Sequence, residues 1–177
     1  VNNVKKTNIH PEIVNLKENL PNNYSDFKNL ILYGPSGGGK YSQALHLLEK
    51  YSTSMLKYEK KMVFQGDKGE FSYKISDIHY EIDMSLLGCN SKIIWNEVFS
   101  QIIDIVSMKK EKFGIILCKN FHEINFELLE IFYSYMQQYN QLNTPVKIAF
   151  ILLTENIGFL PNNIINCSHI ISVKKPS

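Results

Sequence analysis

Arginine is missing altogether: the 177 residues hold 19 lysines and no guanidinium. Bidentate forks on carboxylate or phosphate are therefore excluded, which counts against enzymes that clamp phosphates under arginine-rich lids. Cysteine is scarce. Cys89, Cys118 and Cys167 are far apart and two sit in apolar runs, so free thiols in a reducing interior are expected, not a disulfide framework or a zinc site. No apolar run reaches the roughly 18 residues of a membrane-spanning helix, and no secretory leader opens the sequence as given. Internal repeats and low-complexity tracts are lacking as well. Net charge is only +2, which permits nucleic-acid contact without implying it.

What is present fits one folded domain with a sizeable core, 44% of the residues being hydrophobic and 20% charged. Val1 in place of Met is what a segment of a longer protein would show. Short apolar runs alternate with stretches of helical period. "NLILY" (29–33), "FGIILC" (113–118), "VKIAFILL" (146–153) and "SHIISV" (168–173) read as buried strands, and "DIHYEID" (77–83) as a further one. Two β-rich runs about "GDKG" predict a hairpin over 61–75. Helices are expected at 42–50, with Ala44, Leu45 and Leu48 on one side, and at 92–107, with Ile94, Val98, Ile102 and Ile105 joined by Trp95 and Phe99. A further helix is expected at 125–139 on Leu129, Phe132, Tyr133 and Met136. Strands alternating with helices predict a parallel sheet covered on both faces. Residues 1–28 form a mixed lead-in with a short helix around 11–20.

The chemistry concentrates in "LILYGPSGGGKYS" (30–42). A phosphate-binding loop has the form G-x-x-x-x-G-K-[ST] between a strand and a helix. Gly34, Pro35, Ser36, Gly37, Gly38, Gly39 and Lys40 meet it. Small residues let backbone N–H groups converge on a polyphosphate, the helix N-terminus adds partial positive charge, and the lysine reaches the outer phosphates. ATP is the candidate ligand. The next position departs: Tyr41 stands where a Ser or Thr hydroxyl ligates Mg²⁺, and Ser42 lies one residue on, about 100° round the helix. A phenol reaches too far to replace that hydroxyl. Tyr41 also reads simply as a surface or interface aromatic at a helix start.

Hydrolysing P-loop ATPases of the additional-strand kind end a core strand with Asp-Glu after four apolar residues. Here "IILC" is followed by Lys119, Asn120, Phe121 and His122. Glu123 comes too late to serve without a three-residue slip of the strand. Lys119 puts an ammonium where the metal ligand belongs, to repel Mg²⁺ or to replace part of its charge against a phosphate. Mg²⁺ is not expected. A solvated lysine at a strand end and a hydrogen-bonded surface histidine are the plainer readings of Lys119 and His122.

The loop "LILYGPSGGGK" resembles that of replication factor C small subunits, clamp loader ATPases with the AAA+ fold. The resemblance continues through "SDIHYEIDMSLLG", "SKIIWNEVFSQI", "YMQQY" and "FILLTENIGFLPNNIINCSHIISVKKPS", over roughly residues 10–177. It implies that Thr154 or Glu155 is the sensor 1 position and that Lys92 contacts template DNA. It also implies that Asn166, Cys167 and Ser168 occupy a Ser-Arg-Cys motif, so that Cys167 replaces the arginine finger. Arginines of the family's helix after the acidic box are replaced here by Tyr133 and Ser134.

The expected fold is a three-layer α/β AAA+ P-loop NTPase core with a central parallel sheet and an inserted β-hairpin. It would occupy residues 29–177, the family's lid and collar lying outside this segment. The function the resemblance implies is that of a subunit of a sliding-clamp loader in DNA replication, retaining a P-loop but not hydrolysing ATP. Its partners would be other loader subunits, the sliding clamp and primer–template DNA. Its location would be intracellular, at replication sites in a nucleus or a viral replication compartment. The alternatives are an active P-loop ATPase with non-standard metal binding, a small nucleotide kinase and a pure interaction module.

Overall fold

The computed structural model describes residues 26–37, 39–52, 60–66, 69–141 and 143–173. The expected helix at 11–20, Gly38, the middle of the "GDKG" turn and the closing Pro-Ser lie outside the described residues.

Seven strands form one sheet: β1 (Asn29–Tyr33), β2 (Lys60–Gly66), β3 (Gly69–Ile75), β4 (His79–Asp83), β5 (Phe113–Lys119), β6 (Lys147–Thr154) and β7 (Ser168–Ser172). Their spatial order is β2-β3-β4-β5-β6-β1-β7. The pairs β4–β5, β5–β6, β6–β1 and β1–β7 are parallel. β2 and β3 pair antiparallel as the expected hairpin, and β3 extends the sheet antiparallel from β4. Among the described residues the α-helices are α1 (Lys40–Leu48), α2 (Ser91–Ser107), α3 (Phe126–Gln138) and the short α4 (Asn162–Asn166). Among the described residues no helix is long and apolar enough to cross a membrane.

The apolar runs are continuous because the central strands are covered on both faces: every residue from Phe113 to Cys118 and from Ile148 to Thr154 is buried. Side-chain alternation then divides the core in two. Ile31, Ile116, Cys118, Phe150 and Leu152 pack with Trp95 and Phe99 of α2 and Phe132 of α3. Leu30, Leu32, Ile115, Leu117, Ile151 and Leu153 pack with Ala44, Leu47 and Leu48 of α1 on the other face. The first cluster is largely aromatic: Trp95 and Phe132 have ring centroids 4.9 Å apart, as do Phe121 and Phe132.

Helical phases shift slightly from expectation. In α2 the inward residue of the last turn is Val106, Ile105 being half-buried; in α3 it is Leu128 that is buried, while Tyr133 is half-exposed. In α1 Leu45 is half-buried and Gln43 and Leu47 go inside. All three cysteines are free thiols, Cys118 buried and Cys89 exposed.

Candidate functional site

Parallel strands bring their carboxyl ends to one edge of the sheet, and a ligand cleft forms there where the strand order reverses. That reversal is at β1, which lies between β6 and β7. Its exit is the glycine loop. Gly34 receives its position from Thr154, whose carbonyl accepts its N–H at 3.1 Å. Only glycine fits there, because a Cβ would stand 1.9 Å from the carbonyl oxygen of Val173. Gly37 and Gly39 are both left-handed, φ 79° and 81°, and Gly39 is the N-cap from which α1 starts. That cap explains why α1 begins at Lys40, two residues before the expected start.

The loop, the end of β5 and the end of β6 line an open cavity of about 270 Å³. Its lining brings together Ser36, Gly37, Gly39, Lys40, Tyr41 and Ser42 with Lys119, Asn120, His122 and Glu155. The Lys40 ammonium is folded back on its own loop, donating to the carbonyls of Gly34 at 2.8 Å and Pro35 at 3.0 Å. Burial pulls its pKa below the usual lysine value, and the Glu155 carboxylate partly offsets this.

Tyr41 does not point out as a surface aromatic. It is half-buried, and its hydroxyl donates to Glu81 Oε2 at 2.9 Å, reaching across to β4. The Lys119 ammonium sits over the Tyr41 ring, 4.7 Å from the centroid, a cation–π contact. Asn120 is left-handed at φ 55°, and its amide donates to Asp83 Oδ1 at 3.0 Å.

Two carboxylates on β4 that the sequence reading did not single out thus lie beside the site. For Glu81, burial pushes the pKa up. The neighbouring His79 and the Tyr41 hydroxyl outweigh it, holding the carboxyl below the usual range. His79 Nε2 is 3.8 Å from Glu81 Oε1, beyond a hydrogen bond of ordinary length but close enough to favour the anion. Asp83 is likewise opposed by burial, yet donors from Asn120 and Ser85, with Lys119 nearby, hold it low. Neither acid lines the cavity. The alternation of "DIHYEID" marked the strand, but only the parallel register, Asp83 beside Lys119, brings these acids to the loop.

His122 accepts the Glu155 N–H on Nδ1 at 3.2 Å, and its Nε2 is 3.7 Å from carboxylate oxygens of both Glu123 and Glu155. Thr154 is buried at the end of β6, its hydroxyl donating to Asn156 O at 2.8 Å. Glu155 is therefore the one of the two sensor candidates that faces the cavity. Cys167 is elsewhere: Asn29 pairs with Ser168 and Tyr33 with Ser172, so Cys167 lies at the opposite edge, about 13 Å along the strand direction. It lines a second cavity, of about 620 Å³, with Lys28, Lys147, Asn166, Ser168 and His169. Lys92 is exposed on the first turn of α2, outside the loop cavity, and Asn90 precedes that helix without capping it through its side chain.

Polyphosphate fits what is present: a close-approach glycine, two left-handed glycines, a helix N-terminus and two ammonium groups. For Mg²⁺, which takes hard oxygen ligands, two positions at the site are otherwise engaged: Tyr41 OH donates to Glu81, and the Lys119 ammonium lies at the end of β5. Among the described residues no group of three His, Cys, Asp or Glu side chains is placed to hold a metal ion.

No protein-family model and no curated protein matches this sequence. Solved structures do match by shape. PCH-2 from C. elegans superimposes with a TM-score of 0.55 at 12% identity, over 99% of this chain and 40% of that one. Single-residue variants of RuvB from Thermotoga maritima match as well, two of them as follows. One gives a TM-score of 0.54 at 17% identity over 96% of this chain and 46% of that one. The other gives 0.52 at 16% over 98% and 44%. The chain spans less than half the length of these solved proteins, which are AAA+ ATPases. With its mixed α/β layers and largely parallel central sheet, the chain has the AAA+ P-loop NTPase fold.

Proposed function

We propose that this chain is a clamp-loader-type AAA+ subunit that keeps a phosphate loop and does not turn over ATP. The observation that carries the non-hydrolytic half is the end of β5, where Lys119 lies on the Tyr41 ring in the place of an acid. Water activation and metal binding at that strand end both need oxygen ligands, and the two acids of β4 beside it are engaged with Tyr41 and Asn120. The absence of arginine from all 177 residues leaves no finger for a neighbour's phosphates.

The loader half rests on the resemblance in "LILYGPSGGGK" and the later stretches, together with the AAA+ fold and the hairpin joined to β4. In this reading the subunit contributes shape and neighbour contacts within a hetero-oligomer that acts on a sliding clamp and primer–template DNA at replication sites. Lys92, exposed at the start of α2, is the candidate phosphate contact. Affinity capture of the full-length protein is the test. Co-purification of AAA+ loader subunits or a ring-shaped clamp is expected; a stoichiometric complex with neither would overturn the assignment.

A second reading, a working ATPase, draws on one observation: Glu155 and His122 bring a carboxylate and an imidazole to the cavity. ATP turnover by the wild-type chain that disappears in Lys40→Ala would favour it.

A further inference from the structure

We propose that the loop cavity takes the polyphosphate of a nucleotide in its metal-free form, the ammonium of Lys119 standing in for the divalent cation. The proposal deepens the retained-loop part of the function above and rests on it.

Three features of the cavity carry the inference. First, its cations are built in. Lys40 and Lys119 both line it, from the helix start and the β5 end respectively, so a polyphosphate on the loop would lie between two ammonium groups. Second, Lys119 is held in place. Its ammonium rests on the Tyr41 ring, and that ring is tethered through its hydroxyl to the buried Glu81 of β4. Third, the oxygen ligands a hard cation needs have been turned elsewhere. Glu81 faces Tyr41 and His79, and Asp83 Oδ1 already accepts from Asn120 Nδ2, Ser85 N and Ser85 Oγ. Among the described residues Glu155 is the one carboxylate in the lining, and His122 lies beside it.

The physical consequence is a preference opposite to that of a hydrolytic P-loop. Free nucleotide is the more anionic form, and two fixed ammonium groups attract it more strongly than its Mg²⁺ complex. Bound Mg²⁺ would also meet the Lys119 charge at close range, with Glu155 as the one carboxylate of the lining to oppose it. Lys40 must exchange the carbonyls of Gly34 and Pro35 for phosphate oxygens, a stronger, charge-assisted partner.

Calorimetric titration of ATP into the full chain, in EDTA and in excess MgCl₂ at equal ionic strength, tests this. Wild type should bind in EDTA and lose several-fold in affinity when Mg²⁺ is added. Lys119→Met keeps an unbranched stem for the Tyr41 ring and removes the charge. It should weaken binding in EDTA by about tenfold, the order of one charged hydrogen bond, and bind the two forms alike. Lys119→Arg should restore the wild-type pattern, and Lys40→Ala should abolish binding in both buffers. Tighter wild-type binding with Mg²⁺, or Lys119→Met equal to wild type in EDTA, overturns the proposal. No binding in either buffer overturns it together with the retained loop, whereas assembly into a loader is decided separately by affinity capture.

Discussion

Gly34 is decided by one contact. A methyl group there would stand 1.9 Å from the backbone carbonyl oxygen of Val173, which no rotamer change can relieve. Gly34→Ala should cost about 1–3 kcal/mol as β1 and β7 are pushed apart, read as a lower urea midpoint. Tyr41 is a second decisive residue. Its bond to Glu81 helps hold that carboxyl below the usual range, so the unfolded chain takes up the proton at higher pH than the folded one. The resulting stability is fully present above the ordinary carboxylate range and is lost as pH falls through it towards the depressed folded value. Tyr41→Phe should therefore lower stability near neutral pH by about 1.5–3 kcal/mol, the worth of a hydrogen bond to a charged group. The gap from wild type should close in acid. A difference independent of pH in urea titrations would mean that the tyrosine acts by packing alone. The glycine loop was legible in the sequence; the tether was not, because Tyr41 and Glu81 are 40 positions apart and nothing local joins them.

Elements were legible where burial makes a pattern. The four expected core strands and the hairpin appear with boundaries moved by a residue or so, and the alternating run at 77–83 pairs as β4. Phase was harder. Periodicity names an apolar stripe, but the neighbouring residue can take the inner position once the helix docks, as Val106 does in place of Ile105. The aromatic layer beneath α2 and α3 shows what docking contributes. Phe132 is fully buried and its ring meets Trp95, Phe121 and Phe150. Phe132→Ala should destabilise by about 3–5 kcal/mol, the range for removing a large core aromatic. The fluorescence of Trp95, the single tryptophan and fully buried, provides the signal for that denaturation curve. Unchanged stability would show that the α2–α3 layer is loosely packed.

At the scale of the molecule the expected outcome is silence in an ATPase assay. Steady-state turnover should stay at background for the chain alone and with clamp and DNA added. Removing one positioned transition-state donor costs about 10²–10³ in rate, and an arginine finger is worth about 10³–10⁵. Here Lys119 and Tyr41 stand where a hydrolytic loop has its strand-end acid and hydroxyl, and on the proposed loader reading Cys167 would stand where the arginine finger belongs. Lys119→Asp with Asn120→Glu should not rescue turnover while Tyr41 remains tethered to Glu81. Turnover by wild type that is lost in Lys40→Ala would point to Glu155 and His122 as the working groups.

What the sequence by itself determined is whatever depends on neighbours along the chain. A glycine loop between a buried strand and a helix, a cation after "IILC" and the absence of arginine are readable from residue type and spacing alone. The AAA+ strand order, the meeting of Lys119 with Tyr41 and the posting of Cys167 to the far edge from the loop were decided only by tertiary structure. The reason is geometric. Parallel neighbours are joined by long crossovers, so register places side by side residues that no local pattern connects. The β4 acids reach the loop only through that register, and with it they become the hydrogen-bond partners of Tyr41 and Asn120.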